Sequence, residues 1–180
     1  MISTAASRAS KGRRASLVAV RFLTALALGL WIGGLFFFGA MAAGPMFRVA
    51  REAHHGELAP QMVAVMLGRF GFVLLACGLM LLLGWASENW LAPPRSLWEK
   101  RLWTIQGAAS ATMLGIALYL GLVLMPRIRA MQFGVLHGPN SALKTQFDAA
   151  HSAYSSLAGV SIYLGFAVLL SMMWRISSDP

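Results

Sequence analysis

Arg69 lies between Gly68 and Phe70 in an apolar run that extends from Met62 to Ala86. It sits about eight residues inside that run, roughly 12 Å along a helix. A guanidinium there has two physical options. It can mark the true end of a membrane span and snorkel to the headgroups. Alternatively it faces a helical bundle and pairs with an acid, because charges inside a membrane seldom go unpaired. Asp148, near the start of the last apolar run, is the acid best placed to meet it. Asp148 and His151 also share a helical face at i, i+3, with Phe147 four residues before the histidine. Such a set can hold a solute by charge and hydrogen bonds, relay a proton, or form a solvated first turn.

The four histidines define a second constellation. His54 and His55 fall between the first two apolar runs, and His137 and His151 between the last two. Imidazoles gathered at one face could ligate zinc or copper, with Met46, Met62, Met125 and Met131 as soft ligands for copper(I). Their spacing matches no ligand motif, so a metal ion is the only cofactor to consider and otherwise none is expected. Haem in a four-helix bundle needs axial histidines within the spans, and the apolar runs hold none. No nucleophile–base–orienter set can be assembled and there is no phosphate-binding glycine loop, so an enzyme is not expected.

The elements that must position these residues are membrane helices. The 180 residues are 58% hydrophobic and 12% charged, about half the charged fraction of a soluble domain. A net charge of +9 would suggest nucleic acid for a soluble protein. Here the basic residues alternate with long apolar runs, which makes them topology determinants and lipid-headgroup contacts and excludes nucleic acid as the expected partner. A single cysteine, Cys77, excludes disulfide frameworks and cysteine metal sites.

Four spans are expected, at about residues 22–43, 62–86, 102–125 and 153–174. Lys11, Arg13 and Arg14 before the first run have the outline of a signal peptide. However, the run exceeds the roughly 7–15 residues of a signal's apolar region, and three more runs follow. The first span is therefore expected to stay, with residues 1–16 as a flexible basic tail and 17–176 as one transmembrane domain. Lys and Arg number nine on the side of the two termini and the loop at 87–101, against six on the other side with Arg69 included. That bias places both termini in the cytoplasm. Trp85, Trp90, Trp98, Trp103 and Trp174 cluster at the same interface, and Trp31 alone lies mid-span.

Beyond Pro126 the sequence can remain helical, because proline bends a helix without necessarily ending it. His137-Gly138-Pro139-Asn140 reads as a turn, after which nothing stops a helix until Trp174. The third and fourth helices are thus expected to extend past the bilayer on the outer side. Gly29 and Gly33 form a GxxxG pair, and Gly107, Ala111 and Gly115 a small-residue row, both suited to close helix packing within the bundle or between protomers.

Three segments carry a family resemblance. They are Trp31-Ile32-Gly33-Gly34-Leu35-Phe36-Phe37-Phe38 leading to Ala43-Gly44-Pro45-Met46-Phe47, then Leu122-Val123-Leu124-Met125-Pro126-Arg127-Ile128-Arg129-Ala130, then Phe147-Asp148-Ala149-Ala150-His151. In this order they resemble the transmembrane protein 205-like family, whose bacterial members are small four-span proteins of unknown function. The resemblance covers about residues 21–174. It departs from the family in the glycine before Pro45 and in the turn at His137. The family looks distantly similar to copper-resistance D-type membrane proteins, which is an analogy and not a site. The resemblance implies that Pro45, Arg69, Pro126, Arg127, Asp148 and His151 act together at the outer mouth of the bundle.

The expectation is therefore an all-α, integral membrane, four-helix bundle running up-down-up-down in a plasma (bacterial inner) membrane. Its outer mouth, ringed by Arg69, Arg127, Asp148 and His151, would engage a small solute or metal ion in a permease-like or binding role. Trp31, Gly33 and Gly34 would set the bundle width, and Pro45, Phe47 and Pro126 would mark the level of the mouth. The rival reading is an accessory subunit without chemistry, packed by its glycine faces into a homo-oligomer or a larger membrane complex.

Overall fold

Leucine, alanine and methionine dominate the apolar runs, so propensity and the need to satisfy every backbone polar group in lipid both favour helix. The computed structural model describes residues 2–54, 58–94, 96–137 and 141–177. Helix α1, Ile2–Phe36, continues through a π-helical stretch, Phe37–Ala42, into α2, Ala43–Glu52. After a turn come α3, Leu58–Leu91, and α4, Leu97–Tyr119. A second π-helical stretch, Leu120–Leu124, joins α4 to α5, Met125–His137, and α6 is Ser141–Ser177. Four stretches are long and apolar enough to cross a membrane: Lys11–Glu52, Leu58–Leu91, Leu97–Gln132 and Ser141–Arg175. With 37 residues, α6 reaches about 55 Å, well past a hydrocarbon core of about 30 Å.

Each π-helical stretch has a proline just beyond it. A proline ring crowds the carbonyl four residues earlier and supplies no N–H. For Pro45 that carbonyl belongs to Met41, and for Pro126 to Leu122; both lie inside the widened turns. The wider turns accommodate the rings, and the helices run on. This corrects two expected boundaries. The loop expected from residue 44 is helical to Glu52, and the loop expected at 87–101 shrinks to the few residues between Leu91 and Leu97. Ser96 Oγ accepts the Glu99 N–H at 3.1 Å and so caps α4. Likewise the segment expected as a flexible tail is helical from Ile2, and Arg13 Nε donates to the Leu91 carbonyl at 2.7 Å.

The helices form a ring in which α1 touches α3, α3 touches α4, α4 touches α6 and α6 touches α1. Among the described residues, α1 and α4 lie diagonally opposite, as do α3 and α6. Each helix turns one stripe inward. It comprises Thr24, Leu28, Trp31 and Leu35 on α1, and Leu74, Cys77, Leu81 and Glu88 on α3. On α4 it is Gln106, Ser110, Met113 and Ala117, and on α6 Ser161, Val168, Met172 and Arg175. Phe22, Phe72, Leu83, Leu122, Tyr163 and Leu170 point outward. Large apolar side chains outside and polar ones inside are the distribution expected of helices immersed in lipid.

Trp31, 1% exposed, donates from its indole Nε1 to Ser161 Oγ at 3.2 Å, joining α1 to α6 in mid-span. Ser161 in turn donates to the Ala158 carbonyl. The paired glycines have separate roles. A Cβ on Gly34 would collide with the Phe70 ring, so this glycine sets the approach of α1 to α3. Gly33, like Gly29, would meet nothing within 4 Å. Only one member of the expected pair therefore determines bundle width, because the two point about 100° apart around the helix.

Candidate functional site

The two ends of the bundle differ. One holds the prolines Pro45 and Pro126, and the other holds Trp85, Trp103 and Trp174. At the proline end the widened turns and the divergence of α2 and α5 leave two adjacent cavities, each of about 370 Å³. Leu67, Met125 and Tyr154 line both.

The first cavity lies against α3, with the second π-helical stretch and the start of α5 facing it. Among the described residues its charged ones are Arg69 and Arg129, and no aspartate or glutamate lines it. Arg129 Nη2 donates to the Ala64 carbonyl at 2.6 Å and lies across Gly68, where a Cβ would collide with the guanidinium. Only glycine lets the cation lie this close to the α3 backbone. Leu74, Ala117, Leu120 and Met125 are buried parts of the lining, whereas Val65 and Phe72 are exposed apolar residues at its rim.

The second cavity is largely apolar. Leu35, Phe38, Phe47, Ile128, Phe147 and Ile162 contribute to its wall, with polar groups at Gln132, His151, Tyr154 and Ser155. The Phe147 and His151 rings stack with centroids 6.1 Å apart and 7° between planes, as their i, i+4 spacing permits. Met46 and Phe47 share this cavity with Met125 and Phe147.

The expected ring of four does not close. Arg69 lines the first cavity and His151 the second, while Arg127 and Asp148 are exposed and line neither. Arg69 and Asp148 form no ion pair with each other, which corrects the expected pairing. Arg69 lines the first cavity, whereas Asp148 is exposed and lines neither cavity. Arg129, which the sequence reading did not single out, takes the place beside Arg69. Its signal was the i, i+3 spacing from Pro126 along α5. Among the histidines, His54 is exposed and has a positive φ of 57° that ends α2. His55, and the side chain of His137, lie outside the described residues. Among the described residues no three His, Cys, Asp or Glu side chains stand close enough together to hold a metal ion.

The strongest polar cluster lies at the tryptophan end, away from every residue expected to act. Glu88 is 2% exposed and takes Arg175 Nη1 on Oε2 at 2.7 Å and Arg21 Nε on Oε1 at 3.3 Å. Arg175 Nη1 also donates to Gln106 Oε1 at 3.2 Å. Each of α1, α3, α4 and α6 thus contributes one residue to a buried network. Beside it the Trp85 and Trp103 rings stack at 4.3 Å, and each indole N–H donates to the other's carbonyl, at 2.9 and 3.4 Å. Gly107 accommodates the Trp85 ring where a Cβ would collide. The sequence held a sign of Glu88. Leu74, Cys77, Leu81, Gly84 and Glu88 continue one stripe at alternating spacings of three and four, so a helix prolonged past Ala86 must bury the carboxylate.

Four apolar spanning helices with a charged clamp at one end and paired cavities at the other define a multi-pass membrane protein. The chain belongs to the family described as domain of unknown function (DUF4149), whose model matches residues 26–136. That segment runs from α1 through α5 and includes Arg69, Glu88, Gln106 and Arg129, while α6 with His151, Ser161 and Arg175 follows it. No curated protein and no solved structure matches the chain.

Proposed function

We propose that the protein is a solute-binding, permease-like component of the plasma (bacterial inner) membrane. It runs up-down-up-down with both termini cytoplasmic and the proline end outside, where α5 and α6 extend past the bilayer. The resemblance to transmembrane protein 205-like sequences supports the same reading. The observation that carries the function is the second cavity, an apolar space of about 370 Å³ with polar groups at Gln132, His151, Tyr154 and Ser155. It suits a small, mostly apolar solute bearing one polar group, since apolar walls supply affinity and a few polar groups fix orientation. Scattered donors favour this solute over a metal ion, and no catalysis is proposed.

Gly159 provides the test. It lines the second cavity, and a Cβ there would meet nothing within 4 Å, so Gly159→Leu is expected to fill the space. Native mass spectrometry of protein purified in mild detergent should find a small-molecule adduct that Gly159→Leu abolishes. Identical adduct profiles would overturn the reading.

The accessory-subunit reading is favoured by a different observation. Gly29 and Gly33 meet nothing within the chain and lie among exposed Phe22, Leu26, Leu30 and Phe37, an outward face suited to a second helix. A stable stoichiometric protein complex or a homo-oligomer lost on Gly29→Leu would support it.

A further inference from the structure

The first cavity goes beyond this reading, because its chemistry differs from that of the second. Two guanidinium groups, Arg69 and Arg129, line a space that no described aspartate or glutamate lines. One N–H of Arg129 is engaged by the Ala64 carbonyl, and an arginine has five to offer. Arg69 makes no hydrogen bond or ion pair with another described residue. Both arginines are exposed at the edge of the bundle, and among the described residues no acid lines the cavity to balance them.

The rim says where the counter-charge comes from. Val65 and Phe72, 53% and 74% exposed, flank the cavity, and Leu122 beside it is 68% exposed. Exposed apolar side chains of this size on a spanning helix face lipid chains, not water. The cavity therefore opens sideways into the bilayer. Arg69 and Arg129 are exposed beside this apolar rim, so a lipid in the leaflet can bring its headgroup to them while its apolar chains lie against Val65 and Phe72.

We propose that the Arg69–Arg129 cavity is a headgroup site for an anionic phospholipid, entered laterally from the bilayer, with the phosphate between the two guanidinium groups. The acyl chains lie along the exposed Phe72 and Leu122. Arginine suits the role because its planar fork matches phosphate oxygens in pairs. The volume of about 370 Å³ admits a phosphate with a small headgroup. Arg129 is held in place by Ala64 and Gly68, so one half of the site is formed before the ligand arrives.

The test uses the full-length protein, stripped of lipid in an uncharged detergent. Its melting temperature is read while phosphatidylglycerol, phosphatidylcholine or inorganic phosphate is added, because a ligand that binds only the folded state must raise it. Phosphatidylglycerol should raise the melting temperature saturably, phosphatidylcholine much less, and inorganic phosphate hardly at all. Arg69→Gln should weaken the phosphatidylglycerol response about tenfold, the loss expected for one charge-assisted contact. Gly71→Leu fills the cavity at a position where a Cβ would meet nothing within 4 Å, keeps both arginines, and should abolish the response. Equal responses to the two lipids, or a phosphatidylglycerol response unchanged in both variants, would overturn the proposal. A full response to inorganic phosphate alone would also overturn it by assigning the site to a free anion. Gly159→Leu should leave the phosphatidylglycerol response intact, so this site and the solute cavity fail separately.

Discussion

Arg175 of α6 and Glu88 of α3 meet through a 2.7 Å ion pair although their helices are diagonal and share no backbone contact. The long arginine side chain crosses the end of the bundle, and Gln106 and Arg21 complete the network from the two remaining helices. A buried pair need not be worth more than an apolar pair of the same volume, but a single unpaired member is costly.

Glu88→Gln leaves both arginines without their counter-charge. We expect it to cost about 3–5 kcal/mol, read as loss of melting temperature and of yield in detergent. The double replacement Glu88→Met with Arg175→Met should recover most of that loss. A double variant as unstable as the sum of its singles would show that the pair does not act as a unit.

Ser161→Ala removes the acceptor of a fully buried indole. A cost of about 1 kcal/mol is expected, since hydrogen bonds between membrane helices are worth little more. In a Trp31→Phe background the same change should cost nearly nothing, and a double-mutant cycle measured by thermal unfolding decides it.

The neighbouring glycines should respond in opposite ways. Gly34→Val drives a side chain into Phe70 and should lower the melting temperature strongly, with partial rescue by Phe70→Ala. Gly33→Val meets open space and should leave the monomer's stability within about 0.5 kcal/mol, as for other outward substitutions. Equal effects at both positions would contradict the packing of α1 on α3.

Membrane orientation is open to direct labelling, because the one native cysteine, Cys77, is buried. Lys144 and Lys100 are both exposed and lie at opposite ends of the bundle. In intact cells a membrane-impermeant maleimide should modify Lys144→Cys and reach Lys100→Cys only after permeabilisation. The reverse pattern would invert the proposed topology.

Removing the counter-ion's hold on the headgroup cavity should also show in salt dependence. The phosphatidylglycerol response of the native protein should weaken as ionic strength rises, and that of Arg69→Gln should weaken less. Exposed charges such as Arg69 are screened by salt, and the variant has one fewer of them.

Much of this protein was legible as a string. Apolar runs of spanning length, the scarcity of charge and the placement of tryptophans determined four membrane helices, because transfer into lipid is a local property of each run. What a string could not determine was which side chains meet. Arg69 was matched to Asp148 by height alone, whereas the packed bundle sets Arg69 beside Arg129 and leaves Asp148 exposed outside both cavities. Glu88 was overlooked because its helix runs past Ala86, where the expected span ended, and burial there depends on the facing helices. Gly33 and Gly34, adjacent in sequence, point to different surroundings. Length and polarity act along the chain, whereas pairing, burial and cavities depend on the rotation of each helix against its neighbours, which only the packed bundle decides.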